Sequence, residues 1–527
     1  MSVAAPLVLR GGTIWTGKGR PRARSLAIAE GRVRALDGAA EQAIGPRTRV
    51  VDLRGRLAVP GFNDAHVHFL EGGLALLSAD LRDARDEADM ARRLGARART
   101  LPPGEWITGG QWDHEAWPSR RLPTREPVDA EAPAHPVFVR RLDGHMALAS
   151  SLALRMAGIT RDTPDPPGGT IEKDARGEPT GVLKDKAMDL LRAAMPPRSP
   201  ERMRLAVQAA MADAARLGVT TVQDNSPVES LPVYQALHDA GELTVRLSAW
   251  RPIEVLPALI EAGVRPGLGD AWLRLGALKL LADGSLGAGT AAFFEGYTDE
   301  PGNRGLLLKP ADEVERLIVE ADAHGFQLAV HAIGDRTNAL VLDCFEKARR
   351  VNPVWDRRWR IEHAQHVRGS DVARFRELGV IASVQPFHAV DDMRFAERRL
   401  GAARLPEAYR VRSFLEAGVD VALGTDWYVE PLDPRTVLHA AVLREARGGG
   451  PAGGWMPAER IAMEDALDLY TRGSARAERA DHEKGTLGPG MLADVAVLAR
   501  DVLEDPRSVL DAPVDMTIAG GRVVFER

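Results

Sequence analysis

The stretch Leu57-Ala58-Val59-Pro60-Gly61-Phe62-Asn63-Asp64-Ala65-His66-Val67-His68-Phe69 decides the reading of the chain. It opens as an apolar run, turns at Pro60-Gly61, and delivers two histidines separated by one residue. Side chains two apart on a β-strand share a face. His66 and His68 are therefore expected to project side by side, with Val67 turned to the core. Two neutral imidazoles so placed are a ready pair of metal ligands. A bare His-x-His also occurs as an ordinary polar pair, so the question is whether the chain supplies further ligands.

Working outward, the residues from about 200 onward alternate amphipathic helical runs with short apolar strands. The strands are Val219–Asp224, Val245–Ala249, Leu275–Leu281, Gln327–His331, Arg358–His363, Ile381–Gln385 and Val419–Asp426. Such alternation predicts a parallel sheet. Seven strands plus the one carrying His66 and His68 make eight, the count of an α/β fold of the (β/α)8 TIM-like barrel type.

The two ends of the chain share a different texture: short strands broken by glycine turns, as in Gly11-Gly12-Thr13-Ile14 and Gly520-Gly521-Arg522-Val523-Val524. Residues 1–57 read as a small antiparallel sheet. Together with 485–527 they are expected to build one composite β-sandwich lobe. The barrel takes 58–70 and 205–484. Residues 71–204, rich in Pro, Gly and Trp, are too long for a loop and read as an inserted, substrate-lining subdomain. Within it, Val182–Leu191 reads as a helix whose Lys184 and Lys186 are solvated charges.

Composition narrows the function. The chain has 527 residues, 45% hydrophobic and 27% charged, with a net charge of −5. That balance is ordinary for a globular protein and gives no basic footprint for nucleic acid. No apolar run reaches the roughly 20 residues needed to span a bilayer, so no membrane partner is expected. The N-terminus lacks a basic region followed by a long apolar one. The single cysteine, Cys344, excludes an intrachain disulfide and reads as a small buried residue on a helix. A cytoplasmic protein is expected.

The chemistry falls at the C-terminal ends of the strands, where barrel enzymes carry it. Those ends hold His66, His68, Lys279, His331, His363 and Asp426. Singly, each has an everyday reading: a core histidine, a salt-bridged lysine, a helix-capping aspartate. Jointly, on successive strands, they read as two adjacent metal sites. An ammonium would repel a divalent cation. The neutral amine of Lys279, made accessible by burial, would instead react with carbon dioxide to give a carbamate able to bridge two metals.

These residues and their surrounding phrases resemble the amidohydrolase superfamily, and within it the amidohydrolase family 3 group that includes N-substituted formamide deformylases. The phrases are the His66-containing stretch, Asp283-Gly284-Ser285-Leu286-Gly287, His331-Ala332-Ile333-Gly334-Asp335-Arg336, Glu362-His363-Ala364-Gln365, Gly424-Thr425-Asp426-Trp427 and Gly490-Met491-Leu492-Ala493-Asp494. The resemblance implies that His66 and His68 hold one cation, His331 and His363 a second, and Lys279 as carbamate bridges them. Zinc is the expected metal, one or two per chain. It further implies hydrolysis of an amide-type C–N bond other than a peptide bond, in an N-substituted formamide or N-acyl compound. The attacking group is a metal-activated hydroxide, and Asp426 is the general base and then acid. A homodimer is a family-level expectation. One departure stands out: relatives have an arginine in Ser-Leu-Gly-Ser-Arg-Thr-Ala where this chain has Gly289.

Candidate substrate contacts are Trp112, Asp113 and His145 in the insert, and Gln385, His388, Trp427 and Tyr428 in later loops. Asp335 and Arg336 read equally as a structural pair or as substrate groups. The same metal centre also suits cyclic amides, carbamates, esters, deamination or decarboxylation, since metal ligands activate water without choosing the electrophile. A scaffold that kept the barrel and lost the chemistry is a further alternative. A glycosidase needs two carboxylates at the strand ends, where this chain has histidines.

Overall fold

A computed structural model describes residues 5–141, 146–166 and 169–527, and only the backbone of Glu115 and Asp185. The chain comprises two compact units, residues 1–70 with 210–527, and residues 71–209.

The first unit holds two sheets. One is the barrel, with strands β1 Phe62–Val67, β2 Val219–Asp224, β3 Arg246–Pro252, β4 Leu273–Leu281, β5 Leu328–Ala332, β6 Arg360–His363, β7 Ile381–Val384 and β8 Val421–Leu423. Neighbours pair in parallel from β1 to β8 in chain order. Closure comes from Asp426 N donating to His66 O at 2.7 Å and His68 N donating to Trp427 O at 2.5 Å. Helices cover the barrel through apolar stripes. Ala311–Ala323, between β4 and β5, buries Val314, Ile318 and Ala321, spaced three to four residues apart. The helix Asp335–Val351 buries Cys344 among its core residues.

β8 is shorter than its sequence suggests. Asp64 accepts from Thr425 N at 2.9 Å and from Thr425 Oγ1 at 2.8 Å. A side chain thus replaces the ladder, and Asp426 turns into the left-handed region at φ +60°.

The other sheet is woven from both ends of the chain, in the order Arg522–Glu526, Val514–Ala519, Val495–Leu498, Leu57–Pro60, Leu7–Ile14, Ala23–Ala29, Arg32–Leu36, with Arg49–Asp52 beside Leu7–Ile14. The expected antiparallel arrangement holds only in part. Leu7–Ile14 runs parallel to both Arg49–Asp52 and Leu57–Pro60. The helix Asp37–Glu41 carries the chain across, as a parallel connection requires.

Gly61 separates the last lobe strand from β1. A Cβ there would meet Thr220 Oγ1 at 2.2 Å and Thr220 Cγ2 at 2.4 Å. Gly61→Ala is expected to destabilise the protein by about 1–3 kcal/mol, read as a lower urea midpoint, with Thr220→Ala in the same chain recovering part of the loss. An unchanged midpoint would show that β2 yields freely.

Asp494 joins lobe and barrel. It accepts from Arg246 Nε at 2.8 Å, Arg246 Nη2 at 2.9 Å and Gly520 N at 2.8 Å, and its carbonyl accepts from Gly61 N at 2.8 Å. The Ala493-Asp494 phrase is thus a structural joint.

The second unit is a six-stranded sheet in the order Gly169–Lys173, Pro179–Asp185, Met146–Ala149, Phe138–Arg141, Gly109–Trp112, Ala79–Asp80, with helices including Glu87–Ala98. The expected helix Val182–Leu191 is instead a strand ending at Asp185 followed by the helix Ala187–Arg192. Val182 and Leu183 point to opposite faces of the sheet and both are buried in apolar clusters, a period-two pattern that outweighs the local charge spacing. Lys184 is ion-paired to Glu172, while Lys186 is largely exposed.

Candidate metal centre

The ends of β1, β5, β6 and β8 bring five of the expected side chains together. The His66 and His68 rings lie 5.8 Å apart, His66 and His363 5.1 Å, and His331 and His363 4.5 Å, centroid to centroid. Asp426 Oδ1 sits 3.2 Å from His68 Nε2 and 3.6 Å from His66 Nε2. From β4, Lys279 Nζ reaches within 3.3 Å of His66 Nε2.

Second partners fix which ring nitrogen is free. His66 Nδ1 donates to Glu362 Oε2 at 2.7 Å and His363 Nδ1 donates to Gln385 Oε1 at 2.8 Å. Both imidazoles therefore keep an Nε2 lone pair, the arrangement that orients and strengthens metal-binding histidines. His331 is the reverse: its Nε2 donates to the Gly284 carbonyl at 3.1 Å, leaving Nδ1 as the lone pair.

Electrostatics favour the same states. Burial, helped by the Lys279 charge, lowers the His66 and His331 pKa values to about 4, so both rings are neutral. His363 is lowered well below its usual value by burial and by His331. Burial brings Lys279 down to about 8, against the opposing pull of Glu362 and Asp426. Burial opposes ionisation of Asp426, but the imidazoles of His66, His68 and His363 outweigh it and hold the carboxylate well below its ordinary range.

Two triplets of side chains place one ligand atom each within 4.8 Å of one another: His66, His68 and Asp426, and His363, His388 and Asp426. Asp426 belongs to both. Asp426 Oδ1 and His388 Nε2 are buried without a hydrogen-bond partner. Buried polar atoms are normally satisfied, so these two mark a place for a ligand that is neither protein nor backbone. Imidazole nitrogens with a carboxylate oxygen suit zinc and its divalent neighbours. His331 is in neither triplet; its Nε2–H is taken by Gly284.

Other expected contacts divide. His388, on the helix Pro386–Asp392, stacks its ring 5.8 Å from His363, with Nε2 3.8 Å from Asp426 Oδ2. Trp427 is buried against Phe69 at 5.9 Å, and its carbonyl closes the barrel, while Tyr428 stands edge-on to His68 at 6.1 Å. Trp112 departs from the substrate-lining expectation. It is wholly buried in the core of the second unit, and its Nε1 donates to Val139 O at 3.0 Å. Asp113 is paired with Arg141 at 2.6 Å. His145 lies outside the described residues. Asp335 accepts from Phe294 N at 3.0 Å. At the loop of Gly289, Arg399 Nη2 donates to Gly287 O at 3.0 Å, with its charge met by Glu300 and Asp299 at 3.2 and 3.4 Å.

Three groups at the centre escaped the sequence reading. Glu362 accepts from Arg360 Nε at 2.6 Å, Arg360 Nη2 at 3.0 Å and Ser383 Oγ at 2.7 Å, all buried inside the barrel. Trp250 lies edge-on to His66 at 5.3 Å with the Arg360 guanidinium 4.6 Å from its ring. The available signal was Arg360-x-Glu362 on one face of a fully buried strand, since such charges are buried only when paired.

An α/β-barrel with imidazoles and a carboxylate gathered at its C-terminal rim is the architecture of a metal-assisted enzyme. The sequence profile of the Amidohydrolase family matches residues 49–525, and the chain belongs to that family. It is 36% identical to "Protein LONG AFTER FAR-RED 3" of Arabidopsis thaliana, over 99% of this chain and 92% of the other. It is 29% identical to the "N-substituted formamide deformylase" of Arthrobacter pascens, over 96% and 95%. Among solved structures, an uncharacterized metal-dependent hydrolase from Pyrococcus furiosus superimposes with a TM-score of 0.78 at 31% identity, covering 94% of this chain and 99% of that one.

Proposed function

We propose that this chain is a metal-dependent hydrolase of amide-type C–N bonds other than peptide bonds, with N-substituted formamides and N-acyl amines as its substrate class. The observation that carries the reading is the Asp426 carboxylate, buried between two imidazole Nε2 atoms and lacking a hydrogen bond on Oδ1. The formamide deformylase relative supports the substrate class.

His66, His68 and Asp426 would hold one cation, zinc being the first choice, and His363 with His331 or His388 a second. Lys279 as a carbamate would link them; its burial and lowered pKa, about 8, favour the free amine that such a modification needs. The chemistry supplied by a divalent cation in such a site is polarisation of a carbonyl oxygen and acidification of water. The residues do the rest. Asp426 accepts the proton of the attacking water as its oxygen adds to the carbonyl carbon. When the C–N bond breaks, Asp426 returns that proton to the departing nitrogen, giving an amine and a carboxylic acid. Glu362 and Gln385 keep His66 and His363 aimed while this happens. The single buried Cys344 suits a reducing compartment, and the proposed location is the cytoplasm.

The test is a screen of zinc- and manganese-loaded protein against formamides, N-acyl amino acids, lactams and carbamates, with amine release as the readout. Formamides or N-acyl compounds are expected to turn over; turnover confined to lactams or carbamates would overturn the substrate class. Lys279→Ala is expected to lower bound metal per chain, measured by elemental analysis. Unchanged stoichiometry would make Lys279 a bystander.

A further inference from the structure

A cavity lies at the other end of the barrel. It is an open cleft of about 740 Å³ beneath the N-terminal ends of β3, β4 and β5, lined by Ser248, Leu275, Gly276 and Gln327 from those strands and their approaches. That volume is in the range of small-molecule sites. Leu275 and Trp355 on the lining give it apolar character.

Its charges are uneven. Arg274 is met by Glu483 at 3.5 Å and Glu478 at 3.7 Å, and Glu478 is further met by Lys484 at 2.8 Å. Those four groups balance. Arg265 and Arg479, also on the lining, have no ion pair among the described residues. Arg479 is held in place: its backbone is left-handed at φ +65°, its guanidinium stands 5.3 Å from the Trp355 ring, and Nη1 donates at 2.6 Å to a backbone carbonyl, that of Asp356. The nearby Asp356 carboxylate acts on this charge but is itself paired to Arg358 at 2.9 Å, so the half-buried guanidinium, ordered by an indole and a backbone carbonyl, has no ion-pair partner of its own and can receive an anion.

We propose that this cavity is a second binding site, separate from the metal centre, for a small organic carboxylate with a flat apolar body. The body lies against Trp355, and the carboxylate takes Arg479 and Arg265. The floor is set by Gly276, where a Cβ would fall 2.6 Å from both Ser248 Oγ and Trp250 Cδ1. A side chain there would displace the residues that form the cavity's inner end.

The test is calorimetric titration of the full-length, metal-loaded protein with 1-naphthoate and with its neutral isostere 1-naphthamide. Naphthoate is expected to bind, the amide about tenfold or more weaker, and Arg265→Gln and Arg479→Gln each to weaken naphthoate about tenfold with the urea midpoint unchanged. Arg265 is exposed, so that variant keeps the fold even if Arg479→Gln does not. A carboxylate captured at the metal centre would be indifferent to Arg265→Gln. Equal binding of acid and amide, no binding at millimolar naphthoate, or affinity unmoved by Arg265→Gln would each overturn the site.

Discussion

Asp426→Asn is expected to lower turnover by about 10²–10⁴-fold while leaving bound metal per chain unchanged. The amide keeps an oxygen where Oδ1 now sits, 3.2 Å from His68 Nε2 and 3.6 Å from His66 Nε2. It therefore keeps a ligand atom and the packing of a nearly enclosed side chain. What it loses is the ability to take a proton and hand it on. Activity and metal content separate in this variant, which is why it distinguishes a proton carrier from a mere ligand. Steady-state kinetics beside elemental analysis check it. Full activity in the asparagine variant would remove Asp426 from the chemistry, and parallel loss of metal and activity would leave it a ligand alone.

Arg360→Met is expected to destabilise the protein by about 3–5 kcal/mol. Burial by itself would push the Glu362 carboxyl up, but the Arg360 guanidinium, with His66 and Lys279, brings it down to about 2. Without the guanidinium the carboxylate stays in the barrel interior with its strongest counter-charge gone. The same arginine donates to Ala65 O at 2.7 Å and Ser383 Oγ at 2.8 Å and bonds Gln223, so β1, β2 and β7 lose a shared tie. Urea unfolding measures the change, and Glu362→Gln added to Arg360→Met should recover part of it by removing the stranded charge. A single variant within 1 kcal/mol of the parent would show that the interior relaxes or admits water.

The sequence made the rim legible because each rim residue breaks an apolar run. His66, Lys279, His331, His363 and Asp426 all follow strand-forming stretches, and the parallel order of those strands puts them on one circle. The interior beneath the rim was hidden for the opposite reason. Arg360 and Glu362 sit within a strand, where a charged residue on alternate positions reads as a solvated face. Only the closed barrel turns that face inward. Trp250 was missed because β3 continues past Ala249 to Pro252, beyond where the apolar run falters. The misread helix at Val182–Leu191 has the same origin: local spacing cannot show that Val182 and Leu183 face two different clusters. Nor could spacing show that His388 approaches Asp426 while His331 turns its Nε2 to a carbonyl, since these depend on loop paths.

The pairing of Leu57–Pro60 with Val495–Leu498 has a consequence for biosynthesis. The strand that leads straight into His66 has one neighbour, Leu7–Ile14, already made, but cannot find the other until more than four hundred further residues have been made. At about 5–20 residues per second, that is a wait of roughly 20–90 s on the ribosome. Contacts so distant along the chain also form late and slowly. The lobe sheet must therefore remain an open, partly assembled intermediate through most of translation, and chaperone occupancy should end only once residues 495–519 have emerged.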